Sequence, residues 1–377
     1  MVTPHLPPDQ AANALLPWLL RDGLIQKGHE VRFLSFEPRE SGAPRQPDVR
    51  YVRRPRNGLA RTLRLSQIET GLEVFRETRA LFENADIVHV HSNTFMNQVA
   101  ALLAHRRSIP FVLTHYGTEI WHYQPRRLDL FLWMNRRAAS VTYYSRLLLQ
   151  RSLELGVSPG NPHVVYPPVD RRFRAPTAEE RSEARRLLGI SSAPVLLNVK
   201  RLHPLAGQIF LIDAMPEVLR SFPGAKLFIA GEGEARKELE ARIEALGLED
   251  SVTLLGLVDN RDLPRYYHAS DLFVLPSRLE AFPTVAAEAL ASGLRVVSAD
   301  HPGGVELKDL FPEDVELVPR EDVEALGRAI VDALSRGSAS SAPTRERIER
   351  EFRPESAWET YLELYRRAIG GDGVAPR

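Results

Sequence analysis

The sequence predicts an α/β protein built from two parallel-sheet domains. The chain has 377 residues, too many for one ordinary hydrophobic core. Short β-branched runs alternate with helical patterns from end to end, which is the rhythm of repeated βαβ units. Near the middle, "YPPVDRRFRAPTAEE" (166–180) crowds together prolines and charges that suit neither a helix nor a central strand, so it reads as a connector.

In the first half, β-branched and apolar runs place strands at 30–36, 85–92, 110–115, 140–145 and 163–167. Apolar residues at helical spacing place helices at 12–28 and 69–84. "MVTPHLPP" reads as the second half of a first strand, either a short one or one that begins upstream of Met1. The second half repeats the pattern, with strands at 194–201, 226–233, 252–258, 272–277 and 295–300. Its helices are expected at 207–220, 234–246, 262–268, 284–292 and 322–335. "RGSASSAP" (336–343) reads as a flexible surface segment. "PESAWETYLELYRRAI" (354–369) puts Trp358, Tyr361, Leu362 and Tyr365 at helical spacing, and the tail 370–377 is expected to be disordered. The predicted domains are 1–170 and 171–353, followed by the helix 354–369.

Lys+Arg and Asp+Glu balance at 49 each, which excludes a global basic field for nucleic acid. Residues 1–170 hold 21 basic against 15 acidic side chains, with the excess concentrated at 101–150. That segment is either a solvated helix face or a surface for an anionic acceptor or lipid headgroups. The absence of Cys excludes a disulfide framework, a thiol nucleophile and a cysteine-ligated metal. No apolar run reaches transmembrane length and no signal-peptide pattern opens the chain. The expectation is a cytoplasmic protein, at most peripheral to the inner membrane face.

In an open α/β sheet, ligands bind beyond the carboxyl ends of the strands. In the second half those ends carry "KRLHPLAG" (200–207), "GEGEAR" (231–236), "GLVDNRDL" (256–263), "SRLEAF" (277–282) and "DHPGGVE" (300–306). Lys200, Arg201 and His203 supply positive charge, and Gly231 and Gly233 permit close backbone approach. "EAFPTVAAEA" opens a helix near Pro283, whose N-terminus favours an anion such as phosphate. Pro283 has no N–H, so its neighbours must donate. Glu280 lies in the loop and Glu288 on the helix, where a carboxylate can accept from vicinal ribose hydroxyls. Each feature alone is ordinary surface chemistry. Together, at consecutive strand ends, they mark a site.

The stretches "NVKRL", "LFIAGEGEARKELE" and "VTLLGLVDNRDLPRYYHASDLFVLPSRLEAFPTVAAEALASGLRVVSADHPGG" resemble the donor half of the retaining glycosyltransferases of family 4. "VVYPPVDRRF" and "ADIVHVHS" resemble segments of the same family, so the likeness covers nearly the whole chain. The resemblance implies the GT-B fold, in which two Rossmann-like parallel-sheet domains face each other across a cleft. It implies a first domain for the acceptor, a second for a nucleoside-diphosphate sugar, and a final helix that crosses back to the first. Glu280 would then lie near the sugar hydroxyls and Glu288 near the ribose. Amides around Ala281 and Phe282 would approach sugar and phosphate, Arg201 would contact the diphosphate, and the base would pack near Leu257 and Val258. On the acceptor side the family pattern falls on "THYGTEIWH", with His115 as the catalytic candidate and Tyr116, Gly117, Glu119 and His122 around it. Gln10 stands in the loop after the first strand. The implied activity is metal-independent transfer of a sugar to an acceptor hydroxyl, with no cofactor. No Asp-x-Asp motif occurs.

This chain departs from the family pattern at several places. The Lys expected after Arg201 is Ala206, and the Gly expected after Glu280 is Ala281. The glycine pair expected near the N-terminus reads "DQAAN" (9–13). Lys200 or His203 would have to replace the missing cation, and strand alternation turns Lys200 away from Arg201. A sugar-nucleotide epimerase, a nucleotide-sugar-binding protein without catalysis and a glycan phosphorylase are the competing classes.

Overall fold

The structure is a computed structural model that describes residues 1–7, 12–38, 45–54, 65–124, 129–190, 192–337 and 340–370. Of the tail expected to be disordered (370–377), Gly370 instead ends the C-terminal helix, while 371–377 and the candidate Gln10 fall outside the described residues. The chain forms two compact units, Met1–Pro168 with Pro354–Arg377, and Val169–Arg353.

In the first unit the elements run α1 (Ala12–Gln26), β1 (Phe33–Phe36), β2 (Val49–Val52), α2 (Leu65–Leu81), β3 (Val88–His91), α3 (Phe95–Arg106) and β4 (Phe111–His115). They continue through α4 (Thr118–Trp121), α5 (Leu130–Arg137), β5 (Ser140–Tyr143), α6 (Arg146–Glu154) and β6 (Pro162–Val164). Strands β3-β4-β5-β6 pair in that order, and β1 pairs with β2, all parallel. Val2 makes parallel bridges to both Leu34 and Val90, joining the two sets through one short stretch of extended chain. The expected first strand is therefore reduced to a single bridging position. Every residue of β1, β3, β4 and β5 is buried, as expected of parallel strands covered on both faces.

The second unit runs α7 (Ala178–Leu187), β7 (Val195–Val199), α8 (Gln208–Ser221), β8 (Lys226–Ala230), α9 (Arg236–Ala245), β9 (Val252–Gly256) and α10 (Leu263–Ala269). It continues with β10 (Leu272–Leu275), α11 (Thr284–Ala291), β11 (Arg295–Ala299), α12 (Pro302–Leu310), β12 (Val315–Val318), α13 (Val323–Arg336) and α14 (Ala342–Glu351). The sheet order β9-β8-β7-β10-β11-β12 is the doubly wound order, with its reversal between β7 and β10. The apolar faces of α8, α9 and α13 bury Leu211, Ile212, Met215, Leu239, Leu326 and Ile330 against the sheet. Helix α15 (Pro354–Gly370) belongs to the first unit, where Tyr361, Leu362 and Tyr365 join a core with Leu20, Leu24 and Phe33.

Several readings need correction. Strands β2 ("VRYV") and β12 ("VELV") went unread because two interior residues in each are exposed or only half-buried, which blurs the apolar run. Helices α3, α4, α5, α6, α7, α12 and α14 also lie outside the helices the spacing predicts. The connector stops at Thr177, which opens α7 through a capping box with Glu180. The surface segment 336–343 is also shorter than expected. Ser340 is buried, its N–H donates to the Gly293 carbonyl, and Ser341 caps α14.

Candidate functional site

Strands β7 and β10 pair only at Leu196↔Leu272 and Leu197↔Phe273. Beyond that register the buried Asn198 side chain spans the gap, donating to the Val274 carbonyl at 2.8 Å. At the opposite end, Asp271 accepts from Val195 N–H and pairs with Arg181 and Arg185, fixing where the two strands start. The strands therefore part at their carboxyl ends, and their following loops flank the sheet reversal.

These loops are tied to one another by main-chain bonds. Arg278 N–H donates to Leu205 O, Gly303 N–H to Glu280 O, and Leu202 N–H to Glu232 O. Gly231 and Gly233 (φ 148° and 159°) make this knit possible, because a Cβ would lie 2.0 Å from Lys200 O or 2.1 Å from Leu202 O. The close approach expected of "GEG" is thus an approach by the chain's own backbone.

Within this cluster Lys200 Nζ lies 2.6 Å from Glu280 Oε1, with both side chains largely shielded. Arg201 points elsewhere, 71 % exposed and 3.7 Å from Glu234. Alternation separates the two cations as expected, but the one beside Glu280 is Lys200. His203 Nδ1 accepts from Leu205 N–H, opening the short turn Pro204–Ala206, and its Nε2 lies 3.5 Å from Glu234. The Ala206 side chain is buried in that turn.

Helix α11 begins at Thr284, with Pro283 at the N-cap position and no side-chain cap, and the buried Phe282 ring stacks on Phe352. Ala281 is half-buried beside it. Glu288 accepts from the Tyr267 hydroxyl at 3.0 Å. Burial raises its pKa to about 7, opposed by the Tyr267 bond and Arg172 and reinforced by Asp170. Leu257 is exposed and Val258 half-exposed at the end of β9.

Sequence reasoning missed His301, Tyr267, Asp170 and Arg172. His301 is buried, caps α12 by accepting from Gly304 N–H, and feels the charges of Glu280 and Lys200. Burial lowers its pKa to about 4, so it stands neutral there. The signal was present in "HPGG", a capping side chain before Pro at a helix start.

In the first unit, His115 is fully buried. Its Nε2 bonds Asn135 at 2.9 Å, its Nδ1 lies 3.4 Å from Glu119, and its ring packs on Phe131 and Tyr143. Glu119 Oε1 accepts from Tyr116 N–H at 2.8 Å. Burial pushes the Glu119 carboxyl up, but His115 and nearby backbone N–H groups outweigh it and hold the pKa below the usual value. Tyr116 bonds His91 Nδ1 at 2.8 Å, and Gly117 O accepts from Ile120 and Trp121. His122 is exposed. Behind them His89 joins Tyr365 and Thr114, and Tyr361 bonds Thr114 and Thr142, anchoring α15 to the sheet. Of the cations expected at 101–150, Arg106 and Arg107 end α3, Arg136 and Arg137 end α5, and Arg126 and Arg127 fall outside the described residues. Among the described residues no group of three His, Asp or Glu could hold a metal ion, and no helix is long and apolar enough to cross a membrane.

Residues 180–353 match the family described as Glycosyl transferases group 1, and residues 18–173 match Glycosyltransferase Family 4. A D-inositol 3-phosphate glycosyltransferase of Segniliparus rotundus is 32 % identical over 227 residues, 56 % of this chain; the match spans half the length of that relative. Sucrose-phosphate synthase from Thermosynechococcus elongatus superposes with a TM-score of 0.77 at 21 % identity, covering 98 % of this chain and 96 % of that one. Anabaena HepE, solved in complex with UDP and glucose, gives 0.76 at 21 % identity, covering 96 % and 97 %.

Proposed function

The chain belongs to the group 1, family 4 glycosyltransferases with the GT-B fold, and on that premise we propose that it moves a sugar, with retention and without a metal, from a nucleoside-diphosphate sugar to an acceptor hydroxyl. The observation that supports this reading best is the shielded Lys200–Glu280 pair at the sheet reversal, beside the uncapped start of α11.

The reaction breaks the bond from the anomeric carbon to the diphosphate and forms one to the acceptor oxygen. The leaving diphosphate gains negative charge, which Lys200 and the positive end of α11 would stabilise. Arg201 would swing from the weakly held Glu234 to add its charge. The acceptor proton would pass to the leaving phosphate oxygen. Glu280, held by Lys200, would accept from the sugar hydroxyls, and Glu288 from the ribose. The first unit would bind the acceptor through "THYGTEIWH", with His115 and Glu119 positioning the Tyr116 backbone and His122 exposed to solvent.

The missing Lys at 206 and the unexpected Lys at 200 read as an exchange of places. The buried Ala206 cannot carry a cation, whereas Lys200 places one beside the first acid of the pair. The test is release of nucleoside diphosphate from UDP-, GDP- and ADP-sugars with chelator present, in the wild type and in Lys200→Ala. Loss of about a hundredfold or more in the variant supports the assignment, in line with the removal of a preorganised charge stabiliser. Equal turnover, or strict dependence on added metal, refutes it. Conversion of the donor to an altered sugar nucleotide, without acceptor and without net release of nucleoside diphosphate, would instead identify an epimerase.

A further inference from the structure

The stretch "DHPGG" (300–304) follows β11 and meets the backbone of Glu280. Strand β11 sets its place, since Ser298 registers with Leu275 of β10 on one side and Leu317 of β12 on the other. His301 comes next at the carboxyl end, fully buried, as the N-cap of α12. Its Nδ1 accepts from Gly304 N–H at 2.9 Å, and its Nε2 lies 3.4 Å from Ser298 Oγ. The Ser298 hydroxyl donates to Ala299 O, so toward the ring it can only accept. Burial keeps the imidazole neutral, and its one proton therefore sits on Nε2, which leaves the Nδ1 lone pair to cap the helix.

The two glycines carry that cap to Glu280. Gly303 N–H donates to Glu280 O at 3.0 Å. A Cβ on Gly303 would lie 2.9 Å from Pro283 Cδ and 3.0 Å from Glu280 O, and one on Gly304 would lie 2.4 Å from Ala299 O. Glycine is what lets the first turn of α12 sit this close to the 280–283 loop. Glu280 is thus held at both ends, its carbonyl by Gly303 and its carboxylate by Lys200. The rest of the segment has supports of its own. Phe282 stacks on Phe352, and Glu288 accepts from Tyr267.

We propose that His301 is a positioning residue for Glu280: by capping α12 it fixes the Gly303 N–H that holds the Glu280 backbone, and so aims the carboxylate at the transferred sugar. The inference rests on the transferase reading, because it needs Glu280 at the sugar. His301 itself touches neither sugar nor nucleotide, since its ring is sealed between Ser298 and the first turn of α12. Its loss should slow transfer without weakening the hold on nucleotide, whose contacts would lie at Glu288 and the start of α11. An N-cap needs only a side-chain acceptor at this position, so Asn can replace His, whereas Leu cannot.

The test compares the wild type, His301→Leu, His301→Asn and Gly303→Ala. Release of nucleoside diphosphate from UDP-, GDP- and ADP-sugars gives turnover, and titration calorimetry with UDP, GDP and ADP gives affinity. His301→Leu should lower kcat about tenfold or more, as expected when a group at the reacting centre is misplaced by about 1 Å, with nucleotide affinity kept within about threefold. His301→Asn should recover most of the lost turnover. Gly303→Ala leaves His301 in place but presses on Pro283 and Glu280, so it should show the same loss confined to kcat. It carries the test if His301→Leu does not fold. Wild-type turnover in folded His301→Leu or in Gly303→Ala overturns the proposal, even if the melting temperature falls. So do equal losses in His301→Leu and His301→Asn, or a parallel loss of nucleotide affinity, which would make His301 a general support of the fold. A wild type that binds none of the nucleotides and releases none refutes the transferase reading, and this inference falls with it.

Discussion

Replacing Glu288 by Gln should stabilise the protein while weakening its hold on nucleotide. The carboxyl titrates near 4.5 when exposed and near 7 in the folded chain, chiefly through burial. Between those values the folded state binds more protons than the unfolded state, so stability falls as pH rises through the window. Above pH 7 the folded carboxylate costs about 3 kcal/mol relative to an unperturbed one. Gln keeps the shape and can still accept from Tyr267, but carries no charge. The advantage of Glu288→Gln should therefore be small at pH 4.5 and grow to about 3 kcal/mol by pH 8, or roughly 6–12 °C in melting temperature for a domain of this size. Nucleotide affinity should fall about tenfold or more at pH 8, because a charged acceptor for the ribose hydroxyls is lost. Thermal melts across pH, with and without nucleotide, read both effects. A pH-independent difference between variant and wild type would refute the raised pKa. Unchanged nucleotide affinity would refute the ribose role.

Further outcomes follow from the same geometry. Nucleotide affinity of the wild type should rise as pH climbs through about 7, as Glu288 ionises, and titration calorimetry at several pH values would read the change. Gly207→Ala should cost more than about 2 kcal/mol, because φ is 67° and the new Cβ would lie 2.2 Å from Pro276 O; an unchanged melting temperature would contradict this. His115→Ala should cost about 2–4 kcal/mol by removing a buried ring that bonds Asn135 and supports Glu119. Thermal melts of that variant test the cost, and a wild-type midpoint would count against the packing role.

Strand positions were legible because parallel strands are buried on both faces and read as plain apolar runs, as in "LFVL" and "RVVSA". The carboxyl-end loops followed from those strands, and so did the site. The partner chosen by Glu280 was not legible. The pleat says that Lys200 and Arg201 diverge, but which one faces the site depends on how Gly231 and Gly233 let the β7 loop settle on the β8 loop. The enclosure of His115 rests on Asn135, twenty positions away on α5, a helix that the pattern did not reveal. The pKa of Glu288 depends on burial, on Tyr267 and on Asp170 and Arg172 in the connector, an environment that only the folded unit creates.

The most direct measurement is the melting of the wild type and Lys200→Ala with UDP, GDP and ADP. The account predicts that at least one nucleotide, at a hundred times its dissociation constant, stabilises the wild type by about 2.7 kcal/mol, and that Lys200→Ala loses most of that gain at the same concentration. If none of the three shifts the wild type, or Lys200→Ala responds equally, the site does not lie where the Lys200–Glu280 pair places it.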